Sequence, residues 1–222
     1  MSNSQAIEDY AKAIYAIGQE RDGLVLNGEV AQRLEVTPAT ATSMLKKLAE
    51  LGLVDYLPYK GVSLTPAGEK VALEVIRHHR LIEAYLSEAL GMPEDRVHEE
   101  AEVLEHYISE ELEALIAAKL GDPSHDPHGD PIPTADLRVE ERPTMSLAEL
   151  EPGGRARFVR VSDSEPEMLR YLAERGIAPG ARLEVVDRQP FEGPTFARFE
   201  GSDEIHVLGG RLAAAMRVEQ GR

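Results

Sequence analysis

The sequence predicts a mostly α protein with a small β content. It divides into a winged helix-turn-helix over residues 1–71, a helical dimerisation segment over 72–140 and a small β-barrel over 146–222. Three observations predict it. The first 65 residues read helix, short helix, helix, hairpin. Two long helical stretches with broad apolar sides follow. The last third has short apolar-alternating runs separated by Gly and Pro turns, the pattern of a small barrel.

Residues 4–20 read as a helix because Ile7, Tyr10, Ala11, Ile14, Tyr15 and Ile17 recur at spacings of three and four. "GEVAQRLEV" is a short second helix. "TPATATSMLKKLAELGLV" is a third, with Thr37 as cap, Pro38 in its first turn and Gly52 at its end. Its stripe is Met44, Leu45, Leu48 and Leu51. "LVDYLPYKGVSLT" then gives two strands around a Lys60-Gly61 turn. This order places the third helix in a DNA major groove, with its N-terminal residues reading bases. The residues assigned there are Thr37, Pro38, Ala39, Thr40, Thr42 and Ser43; Lys46, Lys47 and, on the wing, Lys60 are assigned to phosphates. The alternative is a small helical domain whose lysines form only a solvated face.

Residues 66–90 read as one long helix and 93–120 as another, whose apolar side includes Val103, Leu104, Tyr107, Ile108, Leu112, Leu115 and Ile116. Surfaces of that size call for a partner, here each other and a second copy of the chain. "GDPSHDPHGDPIPTADL" is a turn-rich loop, and 138–147 a tether. The strands of the last segment are "ARFVRVS", "ARLEVVDR", "TFARFEG", "EIHVLG" and "AAAMRVE", with one helix at "EPEMLRYLAERG".

Composition narrows the function. The chain has no cysteine, which excludes disulfides, thiolate metal sites and thiol catalysis. No apolar run is long enough to span a membrane, and no basic segment followed by an apolar run opens the chain; a cytoplasmic location is expected. The net charge of −16 argues against nucleic acid until it is divided. Residues 1–71 carry 7 basic and 9 acidic groups, residues 72–140 carry 5 and 17, and residues 141–222 carry 12 and 14. The acidity belongs to the middle, which leaves the first segment free to present a local basic patch.

That acidity peaks in "VHEEAEVLEH", residues 97–106. On a continuous helix of about 100° per residue, His98, Glu102, Glu105 and His106 share one arc of about 100°. "RHHRLIEAYL" places His79 and Glu83 one turn apart on the preceding helix, with His78 pointing elsewhere. A single such pair is normally a surface hydrogen bond. Two sets on consecutive helices call for a cation, because clustered carboxylates repel and lose hydration. Carboxylate and imidazole without sulfur suit Mn²⁺, Fe²⁺ or Co²⁺. His125 and His128 in "SHDPHGDP" also resemble a metal loop, although the fixed prolines favour a structural one.

With these residues in view, the whole chain resembles the diphtheria toxin repressor family of metal-dependent transcriptional regulators. "EDYAKAIY", "RHHRLIEAYL", "VHEEAEVLEH" and "PHGDPIP" carry the resemblance, and "MSLAELEPGGRARFVRV" through "AAAMRVE" looks like the family's C-terminal SH3-like domain, also similar to a small ferrous-iron transport accessory protein. The resemblance implies a primary metal site from Asp9, Glu102, Glu105 and His106, and an ancillary one from His79, Glu83 and His98 with Glu165 from the barrel. That makes two sites per protomer. Met168 stands where iron-type members have Gln, with Glu167 nearby. Asp9 and Glu102 stand where iron-type members have Met and Cys and manganese-type members Asp and Glu, which favours Mn²⁺ over Fe²⁺. Lys12 departs from the manganese type, which has a Glu there.

The function implied is a metal-activated DNA-binding repressor of metal-uptake genes, a homodimer on a palindromic operator. Two alternatives are a metalloenzyme, against which stands the absence of an HExxH motif or a paired nucleophile, and a DNA-binding regulator whose metal is only structural.

Overall fold

The computed structural model describes residues 3–19, 23–139, 143–162 and 165–220. They form two compact units. One comprises residues 1–79, 105–108 and 133–138; the other comprises 80–104, 109–132 and 139–222.

The first unit is the expected winged helix-turn-helix. Helices α1 (Asn3–Gln19), α2 (Asn27–Arg33) and α3 (Pro38–Glu50) precede strands β1 (Val54–Leu57) and β2 (Gly61–Leu64) and the long helix α4 (Pro66–Glu88). Tyr10, Ile14 and Ile17 of α1 close with Val30, Ala31, Ala41, Leu45, Leu48, Val54 and Val62 into one core. Thr37 caps α3, its hydroxyl accepting from Thr40 N at 3.2 Å, with Pro38 in the first turn. Antiparallel β1 and β2 pair from Val54–Leu64 to Leu57–Gly61. The reversal lies at Pro58, Tyr59 and Lys60, and Gly61 already belongs to β2. Gly61 has φ +135°, and a Cβ there would meet Val25 O at 2.6 Å. Thr65 starts α4 by accepting from Gly68 N at 3.2 Å.

The second unit holds α5 (Glu94–Leu104), α6 (Glu110–Lys119) and the C-terminal sheet. Strands β3 (Met145–Ser146), β4 (Arg155–Val161), β5 (Arg182–Arg188), β6 (Thr195–Phe199), β7 (Ile205–Leu208) and β8 (Met216–Gln220) are ordered β3-β8-β4-β5-β6-β7, with antiparallel neighbours. Helix α7 (Pro166–Ala173) and the short α8 (Gly210–Ala215) contribute to its core, built around Phe158, Leu169, Leu172, Val185, Leu208, Met216 and Val218. Register shifts at Phe158/Arg160 and Val185/Asp187 mark bulges, which bend strands.

The structure corrects two expectations. "AAAMRVE" is not one strand: its three alanines end α8 and the strand starts at Met216. More consequentially, residues 93–120 are two helices. Glu105, His106 and Tyr107 form a turn, and Ser109 caps a new helix by accepting from Leu112 N at 3.3 Å. The Glu105 carbonyl, which a continuing helix would bond to its own next turn, lies instead 3.2 Å from His78 Nδ1. The shared arc therefore holds only for His98 and Glu102. The part of the expected tether at 140–142 lies outside the described residues.

Candidate metal centres

In the first unit, α1, α4 and the turn at 105–108 converge. His106 Nε2 lies 3.0 Å from Asp9 Oδ1 and 3.7 Å from Glu105 Oε1. Asp9, Glu105 and His106 each place a ligand atom within 4.8 Å of the others. Glu105 is buried, 2% exposed, so its carboxylate needs local compensation. Lys12 supplies it: Nζ donates to Glu105 Oε1 and Oε2 at 3.0 and 2.8 Å and lies 3.1 Å from His79 Nδ1. His79 Nδ1 is also 2.5 Å from Glu105 Oε2. The Lys12 ammonium thus stands among three metal-type donor atoms. Two carboxylates and an imidazole, oxygen-rich and free of sulfur, fit a hard divalent cation.

Sequence reasoning missed Glu8 here. Its Oε2 is 2.6 Å from His106 Nδ1, the nitrogen opposite the one facing Asp9, so it orients the ring as a metal-bound imidazole's outer partner does. Adjacency to Asp9 was the only trace of it. Gln5 Nε2 donates to Tyr107 OH at 2.7 Å and adds a further tie between α1 and the turn.

In the second unit, Glu83 is fully buried. Its Oε1 is 3.2 Å from His98 Nδ1 and its Oε2 3.7 Å from His128 Nδ1. His98 Nε2 lies 3.7 Å from Glu102 Oε1, whose side chain is 43% exposed. The structure thus gathers Glu83, His98 and Glu102 in this unit, and Asp9, His79, Glu105 and His106 in the other. Glu165, at the start of α7, is held by Arg211 Nη2 at 2.6 Å from both its oxygens. That one nitrogen bridges both oxygens of the carboxylate expected to serve the ancillary site. Met168 packs against the barrel core.

The loop residue His128 is 1% exposed. Its Nε2 is 3.0 Å from the Glu94 carbonyl. Burial by itself would lower its pKa, but Glu83, Asp126 and the Glu94 carbonyl overcome this and raise it to about 9. Asp126 is raised to about 8, first by burial and then by repulsion from Asp130 and Glu83.

On α3, Thr37, Pro38, Ala39, Thr40, Ser43 and Lys46 are exposed, as is Lys60 on the wing; Thr42 and Lys47 are partly covered. Thr37 and Thr40 hydroxyls share a 2.8 Å bond, and Thr42 donates to Pro38 O at 2.8 Å while accepting from Asn27 Nδ2 at 3.3 Å. Tyr59 at the wing tip is fully exposed with φ +65°, a position that the sequence reading passed over.

Residues 3–62 match the model of the iron-dependent repressor N-terminal DNA-binding domain, 65–134 that of the metal-binding and dimerisation domain, and 145–220 the FeoA domain. The chain is 31% identical to the diphtheria toxin repressor of Corynebacterium efficiens over 96% of its own length and 94% of that protein. A manganese-dependent transcriptional repressor in complex with manganese is 41% identical, with a TM-score of 0.90 over 96% of this chain and 99% of the other. The manganese regulator SloR is 31% identical with a TM-score of 0.77, over 97% and 98%. The first two relatives are repressors and the third a manganese regulator, and the matched domain models are those of an iron-dependent repressor, which removes the metalloenzyme alternative. Wing, carboxylate–imidazole clusters and C-terminal sheet thus fall together in one lineage: the chain belongs to the diphtheria toxin repressor family of metal-dependent transcriptional regulators.

Proposed function

We propose that this chain is a Mn²⁺-activated repressor of metal-uptake genes, acting in the cytoplasm as a homodimer on a palindromic operator, with Fe²⁺ as a weaker activator. The observation that carries the reading is the convergence of Asp9, Glu105 and His106, without sulfur, between the DNA-binding helices and the turn leading to α6. Glu102 joins this primary set, and His79, Glu83 and His98 form the ancillary one, with Glu165 recruited only by giving up Arg211. The division into DNA-binding, dimerising and SH3-like segments at 1–71, 72–140 and 146–222 follows from the same reading.

A bound divalent cation supplies the charge that holds two carboxylates and an imidazole together. Asp9 contributes from α1, and Glu105 and His106 from the turn, which Glu8 and Gln5 already hold. The turn is continuous with α6, where Leu112 and Leu115 stay exposed while Ile116 and Ala117 are buried. A helix apolar on both sides needs a second partner, here another copy of the chain. Restraining the turn against α1 therefore selects, from a looser ensemble, the spacing at which two recognition helices meet successive major grooves. The deciding experiment titrates operator affinity with Mn²⁺ and Fe²⁺ under anaerobic conditions. Affinity should rise with both, at lower free Mn²⁺. Operator binding unchanged by metal would leave the structural-metal alternative standing.

On DNA, Thr37, Pro38, Ala39, Thr40, Thr42 and Ser43 take the base-reading end, and Lys46, Lys47 and Lys60 the phosphates. Phosphate contacts carry salt-dependent affinity and little sequence information. Lys60→Ala should therefore weaken operator and scrambled duplex alike and lower the salt slope by about 1 per contact. A changed sequence preference at an unchanged slope would place the wing elsewhere.

A further inference from the structure

We infer that the outer face of the C-terminal sheet binds a phosphoryl anion, held by Arg157 and Arg198 with Arg155 and Arg182 beside them. The site lies wholly within the second unit and shares no residue with the metal centres or with α3.

Strand geometry brings the arginines together. Successive side chains of a strand point to opposite faces. On β4, Arg155 and Arg157 flank buried Ala156; on β5, Arg182 and Glu184 flank buried Leu183; on β6, Arg198 stands between buried Ala197 and Phe199. The register lays the outward residues side by side. Arg155 is opposite Glu184, Arg157 opposite Arg182, and Glu184 opposite Arg198. Directly opposed side chains on neighbouring strands start about 5 Å apart. All of these outward residues, with the turn at 200–202, line one cavity of about 530 Å³, a volume that suits a small ligand. Glu200 N donates to Arg182 O at 2.8 Å and Ser202 N to Phe199 O at 3.2 Å, which fixes the turn through Gly201 at φ +88°.

Four guanidiniums share two carboxylates in this cavity. Glu184 is taken by Arg155, whose Nε and Nη2 lie 3.1 and 3.0 Å from its Oε2. Glu200 Oε2 comes only within 4.0 Å of Arg182 Nη1. Arg157 and Arg198 have no hydrogen bond or ion pair among the described residues. Strand β8 sets Glu219 on the other side of Arg157, outside the cavity. Like charges directly opposite one another destabilise a sheet, so the Arg157–Arg182 pairing costs stability unless an anion lies between them. It does so in a chain whose net charge is −16, against the overall balance.

A phosphoryl group suits this arrangement better than a carboxylate. The two coplanar oxygens of a carboxylate engage the fork of one guanidinium. A phosphoryl group carries about 1.5–2 negative charges and three acceptor oxygens pointing in different directions. It can therefore take N–H groups from arginines on neighbouring strands, and arginine is the residue of choice for such recognition. Free phosphorylated ligands and the backbone of a nucleic acid both offer this chemistry.

The test uses full-length protein freed of divalent metal, which polyphosphates chelate. In calorimetric titration at low salt, wild type should bind about one equivalent of inorganic tripolyphosphate per protomer. Arg157→Gln/Arg198→Gln should bind it at least about tenfold more weakly, while Lys60→Ala, altered on the wing, should bind it as wild type does. Should the double variant fail to fold, Arg198→Gln alone decides, with an expected loss of about threefold. Operator binding at saturating Mn²⁺ across a salt series then separates the two sources. A slope lowered by about 2 per protomer in the double variant assigns the site to nucleic-acid phosphates, and an unchanged slope assigns it to a free phosphorylated ligand. Wild type that takes up no tripolyphosphate, or folded arginine variants that bind it as wild type does, would overturn the site. Failure of the metal-regulated reading shows separately, as wild type whose operator binding ignores metal.

Discussion

His106→Ala should lose metal-stimulated operator binding by on the order of 100-fold, equivalent to about 2.7 kcal/mol, while remaining a folded dimer. The imidazole faces Asp9 at 3.0 Å through one nitrogen and Glu8 at 2.6 Å through the other. Removing it takes one donor from the primary set and releases the carboxylate that aligns it. The effect falls on activation because coupling between metal and DNA is reciprocal: a metal bound more weakly by the DNA-competent state stimulates DNA binding less. Gel-shift titration with Mn²⁺ measures the loss, and circular dichroism with sizing establishes the fold. A folded variant with a full metal response would take His106 out of the site. Glu8→Gln should have a smaller effect in the same direction, since it weakens alignment without removing a donor.

Lys12→Met should move two quantities in opposite directions. Without metal, the variant should be less stable by about 1–3 kcal/mol, because buried Glu105 loses its charged donor while His79 remains beside it. Lys12 is about one-fifth exposed, which keeps the cost below that of breaking a fully buried pair. Metal affinity at the Asp9–Glu105–His106 set should rise at least about tenfold, since an ammonium on the Glu105 oxygens repels a divalent ion and occupies its donors. Saturating Mn²⁺ should then restore thermal stability by mass action. Thermal melts with and without metal, together with a competitive chelator titration, give both numbers. Unchanged metal affinity in a destabilised variant would reduce Lys12 to a structural counter-ion.

The periodicity of α1 and α3, the Thr37–Pro38 start, the apolar alternation of the C-terminal strands and the separation of charge among segments were all legible in the sequence. They are local properties, set by the turn angle of a helix, the pleat of a strand and the chemistry of caps. Asp9, Glu105 and His106 were legible through residue type and through the family resemblance. The helical wheel that grouped the acidic residues was not sound, because it assumed that the helix runs through Glu105. Tertiary structure decided otherwise: His78 engages the Glu105 carbonyl, Ser109 starts a new helix, and the turn between them joins the first unit. Lys12 could be identified in the sequence as a departure, but its place on Glu105 depends on a contact 93 residues away in the chain. Glu8 left even less trace. Its meaning lies in which lone pair it faces and whether water can reach it, and burial and facing are properties of the packed chain that no spacing along the sequence encodes.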